Sequence, residues 1–134
     1  MLERLFVYGT LKRESSLPLA QELNRSATFE GEARFNGRLY LVSHYPAAIP
    51  SDRPEEWVHG ELFVVRDPGF LVTLDRYEEC AQEDVQPTEF RRSAQTVVNS
   101  RGESVQAWMY TYNRPVTDLR RIASGEFSSG PDIG

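Results

Sequence analysis

The chain has 134 residues, 40% hydrophobic and 26% charged, the proportions of one soluble globular domain with a single core over residues 1–134. A formal net charge of −5 argues against the basic stripe of a nucleic-acid surface and against a polybasic membrane anchor. A single cysteine, Cys80, rules out an intrachain disulfide and points to a reducing, cytoplasmic setting. The first residues lack a basic stretch followed by an apolar run, so no signal peptide is expected. No apolar run approaches the roughly 20 residues of a membrane span.

In chain order, Leu5-Phe6-Val7-Tyr8 comes first and reads as a strand that runs into Gly9-Thr10-Leu11-Lys12-Arg13. A strand that stops at a glycine leaves successive backbone N–H groups without ladder partners, and such groups form an anion-binding concavity. Gly9 has no Cβ to keep a ligand off the backbone. A buried first strand with an ordinary turn after it accounts for the same residues. Leu17 to Leu23 predicts a short helix with Pro18 in its first turn. Thr28 to Val42 predicts two strands broken near Asn36-Gly37, a hairpin signal. His44 to Trp57 holds Pro46, Pro50 and Pro54 and reads as a loop, and Val58 to Val65 as a strand. Asp67 and Pro68 open a helix, as N-cap and first helical residue, that runs to about Cys80. Phe90 to Val98 and Ser104 to Tyr112 predict a hairpin around Asn99-Ser100-Arg101-Gly102. Asp118 to Ser124 reads as a last helical turn stopped by Gly125. Five or six short strands with one main helix predict an α+β domain, on a small mixed or antiparallel, barrel-like sheet.

Spacing the main helix at about 100° per residue puts Phe70, Leu71, Leu74 and Tyr77 on one arc. Glu78 falls inside that arc, between Leu74 and Leu71, while Asp75 and Glu79 fall outside it. A carboxylate that loses hydration without a cationic partner has a raised pKa, which suits general acid–base chemistry. A helix-end glutamate that turns to solvent, or pairs with Arg91 or Arg92, fits the same spacing. Tyr110 and Tyr112 face one side of their strand. There Tyr110 hydrogen-bonds a substrate if that side lines a cavity, or both rings simply pack. His44, His59 and Cys80 lack metal-ligand spacing, so no metal site is expected. Cys80 follows Glu78-Glu79, which disfavours a thiolate, and reads as structural. Trp57 and Trp108 read as packing residues. Ser15 and Ser16 have no histidine at a recognisable spacing, which argues against a serine hydrolase.

Val7-Tyr8-Gly9-Thr10-Leu11-Lys12-Arg13 resembles the signature loop of the γ-glutamylcyclotransferase-like family, which includes the γ-glutamylamine cyclotransferases and small bacterial relatives. Leu74-Asp75-Arg76-Tyr77-Glu78 is similar to the family's second motif, and Ala107-Trp108-Met109-Tyr110-Thr111-Tyr112 to its late aromatic strand. His44-Tyr45-Pro46 and His59-Gly60-Glu61-Leu62-Phe63 resemble the middle of bacterial members, so the similarity runs from about Leu5 to Phe127. Two departures are Glu79 and Glu14-Ser15-Ser16, where relatives commonly have glycine after each of the first two motifs.

The resemblance implies a cofactor-free cyclotransferase. The α-amine of a γ-glutamyl amine or γ-glutamyl dipeptide attacks its own γ-carbonyl, giving 5-oxoproline and a free amine. It implies Glu78 as the catalytic carboxylate, and Tyr8, Gly9, Thr10, Leu11 and Tyr110 as substrate-binding. The expected partner is this small-molecule substrate, with no nucleic acid or membrane and the oligomeric state left open. A non-catalytic binding or regulatory protein on the same scaffold, and an acidic protein-interaction domain, are the alternatives.

Overall fold

Leu5, Phe6, Val7 and Tyr8 lie at the centre of the architecture, in and just after β1 (Glu3–Val7). The computed structural model describes residues 3–9, 18–42, 45–67, 69–77 and 90–127. β1 runs antiparallel to β4 (Trp57–Val65), with Leu5 opposite Phe63, and parallel to β6 (Ser104–Tyr112), with Leu5 opposite Trp108. β6 pairs with β5 (Phe90–Asn99), β5 with β2 (Ala27–Val42), and β2 with β4. These five strands therefore close into a mixed barrel, as the sequence predicts.

The pleat sends Phe6 and Tyr8 to one face and Leu5 and Val7 to the other. Phe6 joins Phe35, Val58, Leu62, Val97 and Met109, one or more from each barrel strand, and fills the interior. Leu5 and Val7 pack outward on Ala20 and Leu23 of α1 (Pro18–Ser26) and on Phe70, Leu71 and Leu74 of α2 (Gly69–Tyr77). Burial on both faces is why Leu5 to Tyr8 is apolar throughout and does not alternate. α2 opens as expected: the Asp67 carboxylate accepts the Gly69 N–H at 3.0 Å and its carbonyl accepts the Phe70 N–H at 3.0 Å. The hairpin at residues 99–102 is also as expected, with the Asn99 side chain accepting the N–H groups of Arg101 and Glu103.

Three sequence expectations are corrected. Asn36-Gly37 is no hairpin turn, because β2 runs unbroken for 16 residues. Residues 27–36 pair with β4 and residues 37–42 with β3 (Tyr45–Pro50). Gly37 avoids the left-handed region; a Cβ there would run into the Ile49 carbonyl and stand 2.6 Å from the Phe35 ring. The Asn36 amide donates to the carbonyls of Arg53 and Glu56, at 2.8 and 2.7 Å. The dipeptide thus marks where β2 changes partner. Pro46 and Pro50 do not make a loop; they lie in β3, at the end of the strand order, where a missing N–H costs no ladder bond. Asp118 to Ser124 is not helical. It contributes β7 (Arg120–Arg121), which pairs with β2 at Tyr40 and Leu41. The short helix expected at Leu17 to Leu23 is α1, which runs on to Ser26.

Candidate functional site

The three stretches singled out by sequence meet at Tyr110. Tyr8, buried at the exit of β1, donates its hydroxyl to the Tyr110 carbonyl at 2.6 Å and accepts the Ala48 N–H at 3.2 Å. The Tyr110 hydroxyl lies 2.7 Å from Asp75 Oδ1, to which it donates, and 3.5 Å from the Leu71 carbonyl. Arg92 grips the same carboxylate with two bonds, Nε to Oδ1 at 2.8 Å and Nη2 to Oδ2 at 3.1 Å. Its guanidinium stands 4.6 Å over the Trp108 ring. Tyr110 and Tyr112 face one cluster, as the alternation predicts.

Asp75 and Arg92 escaped the sequence reading as a pair. Asp75 lies off the apolar arc, next to Leu71. A short carboxylate on that border must find a donor, which is the signal that could have been used. Its donors come from β5 and β6, far along the chain. Glu61 was likewise not singled out as a site residue. It is buried, and it sits opposite Val7, two residues before Gly9. The alternation of β4 puts it on the face away from Leu62.

Gly9 is half-buried, and the space a Cβ would need is filled: Pro46 Cγ would stand 2.6 Å from it. Pro46 of β3 thus takes the room that the missing Cβ leaves. Phe70, Leu71 and Leu74 are buried as the arc predicts. Thr10, Leu11, Glu78, Glu79, Cys80 and His44 lie outside the described residues. The raised pKa expected of Glu78 lies there with them.

A separate cavity of about 350 Å³ opens between β2, β4 and β7, with Arg38, Glu56, Trp57, His59, Arg121 and Ser124 in its wall. It shares no residue with Tyr8, Gly9 or Tyr110. Glu56 is its best-held group. Its carboxylate takes the Ser51 hydroxyl, Arg38 Nε at 2.8 Å and Arg121 Nη2 at 3.1 Å. The Ser51 hydrogen bond, then the Arg38 one, hold its pKa down to about 2. Among the described residues no three His, Cys, Asp or Glu side chains gather as a metal site, and no helix is long and apolar enough to cross a membrane.

The sequence profile of the family described as gamma-glutamyl cyclotransferase, AIG2-like, matches residues 5–129. The chain is 33% identical over 125 residues to the gamma-glutamylcyclotransferase family protein YtfP of Escherichia coli, covering 92% of this chain and 95% of that protein. It is 31% identical over 127 residues to gamma-glutamylaminecyclotransferase of Mus musculus, covering 82% of this chain and 78% of the relative. The crystal structure of an AIG2-like protein from Mus musculus superposes with a TM-score of 0.74 at 26% identity, covering 98% and 92% of the two chains. The solution structure of Escherichia coli YtfP superposes with a TM-score of 0.63 at 32% identity, covering 94% and 96%. With a profile match over nearly its whole length and two relatives above 30% identity, this chain belongs to the gamma-glutamyl cyclotransferase, AIG2-like family.

Proposed function

We propose that the protein is a cyclotransferase that releases 5-oxoproline from a γ-glutamyl amine or a γ-glutamyl dipeptide. Membership of the family carries this reading, and the meeting of Tyr8, Asp75 and Tyr110 in one hydrogen-bonded cluster supports it. The substrate's α-ammonium loses a proton to Glu78 and its amine attacks its own γ-carbonyl carbon. The ring closes, and the same carboxyl returns that proton to the leaving nitrogen as its C–N bond breaks; the ring nitrogen then sheds its second proton through the freed carboxylate to the departing amine, which leaves as an ammonium. Backbone N–H groups of Gly9, Thr10 and Leu11 hold the substrate carboxylate or the developing oxyanion, with Tyr8 and Tyr110 beside them. The nucleophile belongs to the substrate, so the protein's main task is to fold it into a reactive geometry.

The test is 5-oxoproline release from a panel of γ-glutamyl amines and dipeptides, with binding followed separately by calorimetry. Glu78→Gln should keep binding and lose about 10²- to 10⁴-fold in turnover, the usual loss of a general acid–base. Glu79→Gln should lose far less. Equal losses would reject Glu78 as the proton carrier. Binding without turnover by the wild type across the panel would favour a binding protein on this scaffold.

A further inference from the structure

We propose that Asp75, Arg92 and Tyr110 form a positioning clamp for the end of α2, and that the Tyr110 hydroxyl serves this clamp and is not a donor to substrate. The proposal rests on the assignment of Glu78, three residues beyond Asp75, as the proton carrier.

A phenol has one proton to give. Among the described residues, two acceptors face that of Tyr110: a carboxylate oxygen at 2.7 Å and a carbonyl oxygen at 3.5 Å. The nearer is within normal O–H···O range and carries charge, so it takes the proton. A proton committed to Asp75 cannot also stabilise an oxyanion. The hydroxyl keeps only a lone pair toward anything else.

The clamp is built on rigid parts. Arg92 and Tyr110 are direct cross-strand partners on β5 and β6. Trp108, two residues before Tyr110 on the same face, stacks on the Arg92 guanidinium and limits its swing. Both side chains converge on one helical residue, and together they occupy Oδ1 twice and Oδ2 once. Phe70, Leu71 and Leu74 hold α2 by apolar contact, which has no direction. The Asp75 bonds add direction and resist rotation and sliding of this turn. The Tyr110 carbonyl meanwhile accepts the Tyr8 hydroxyl, so one residue sets both the exit of β1 and the last turn of α2.

Tyr110→Phe keeps the ring and Asp75→Asn keeps the shape. Each should lower kcat for 5-oxoproline release about tenfold or more, with KM changed less than about threefold, because a small misplacement of the reacting groups is costly. The double variant should lose no more than the worse single one, since both cut the same link. Arg92→Lys keeps the charge without the fork and should fall between. All should keep the pH limbs of the wild type, and circular dichroism checks their folding. A rise in KM alone would show that Tyr110 contacts substrate, and a lost pH limb that it moves a proton. Either outcome overturns the clamp, as does unchanged kcat in Tyr110→Phe.

Amide hydrogen exchange supplies an arm independent of turnover. Tyr110→Phe should speed exchange in the peptide spanning residues 74–78 and leave β1 and β4 protected. Equal exchange in variant and wild type overturns the proposal. If the wild type releases no 5-oxoproline, the cyclotransferase reading fails while this arm still decides the clamp.

Discussion

Two carboxylate–arginine networks brace the barrel, around Glu56 and around Asp75. The Glu56 carboxylate is held by Ser51, Arg38 and Arg121, and its own carbonyl accepts from Gly37 and from the Asn36 side chain. It ties the segment after β3 to the point where β2 changes partner, and both to β7. The Asp75 carboxylate is held by Arg92 and Tyr110 and ties α2 to β5 and β6. Glu56 has a side chain 8% exposed, against 20% for Asp75, so the deeper network is the one away from Tyr8 and Gly9. Similar bonds therefore serve different ends, and the element each one holds decides which. Damage at Glu56 should appear in stability alone, and damage at Asp75 in stability and turnover together.

The largest stability effect should come from Gly37→Ala, beside Glu56. The new methyl would collide with the Ile49 carbonyl and the Phe35 ring, and neither is a flexible side-chain end. Overpacking of this kind costs about 1–3 kcal/mol, and the backbone contact places this case near 3. Denaturant titration should show that loss, while kcat per folded molecule stays at the wild-type value. A drop in kcat would mean that the β2 switch point communicates with the Tyr110 cluster, and the separation drawn above would fail.

Asp75→Asn should cost less stability and more function. The Arg92–Asp75 pair is about one-fifth exposed at both ends, so the 3–5 kcal/mol typical of breaking a buried pair is reduced by solvent to about 1–2. The expected result is a modest shift in the urea midpoint with a tenfold or larger fall in kcat. A shift as large as that of Gly37→Ala, with kcat intact, would make the two networks equivalent.

The sequence was most legible where local chemistry and burial agreed. The span of β6 is that read from its alternation, and β5 exceeds its reading by one residue, Asn99. The buried face of α2 follows from 3.6-residue spacing alone. Legibility failed where one local signal serves two tertiary purposes. Asn36-Gly37 satisfies the chemistry of a tight turn, but Ile49 and Phe35, packed against it, make it a straight crossing between partners. Pro46 is a loop signal until β2 supplies an edge to sit on. Asp75 falls outside the apolar arc, and its pairing with Arg92 and Tyr110 was not legible because they lie 17 and 35 residues further along the chain. Of the site, Tyr8 and Tyr110 were named from their motifs, but the bond between them joins residues 102 positions apart.

The smallest effect concerns Glu56, and it fades in acid. Its folded pKa of about 2 lies below the ordinary 4.5 because the Ser51 hydroxyl and Arg38 favour the charged form. The unfolded chain therefore binds a proton here at a higher pH than the folded one does. The stabilisation is complete above pH 4.5 and drains away as the pH falls toward 2. Glu56→Gln keeps the shape but offers no charge to Arg38 and Arg121, so its melting temperature should lie below that of the wild type at pH 7. The gap should hold steady down to about pH 5 and narrow on further acidification as the wild-type carboxylate takes up its proton. Thermal melts of both proteins across pH 3–7 would measure it. A gap that persists unchanged to pH 3 would show that Glu56 acts by shape and not by charge. Turnover at neutral pH should match between the two proteins at temperatures where both are folded, which is where Glu56 and Asp75 part company.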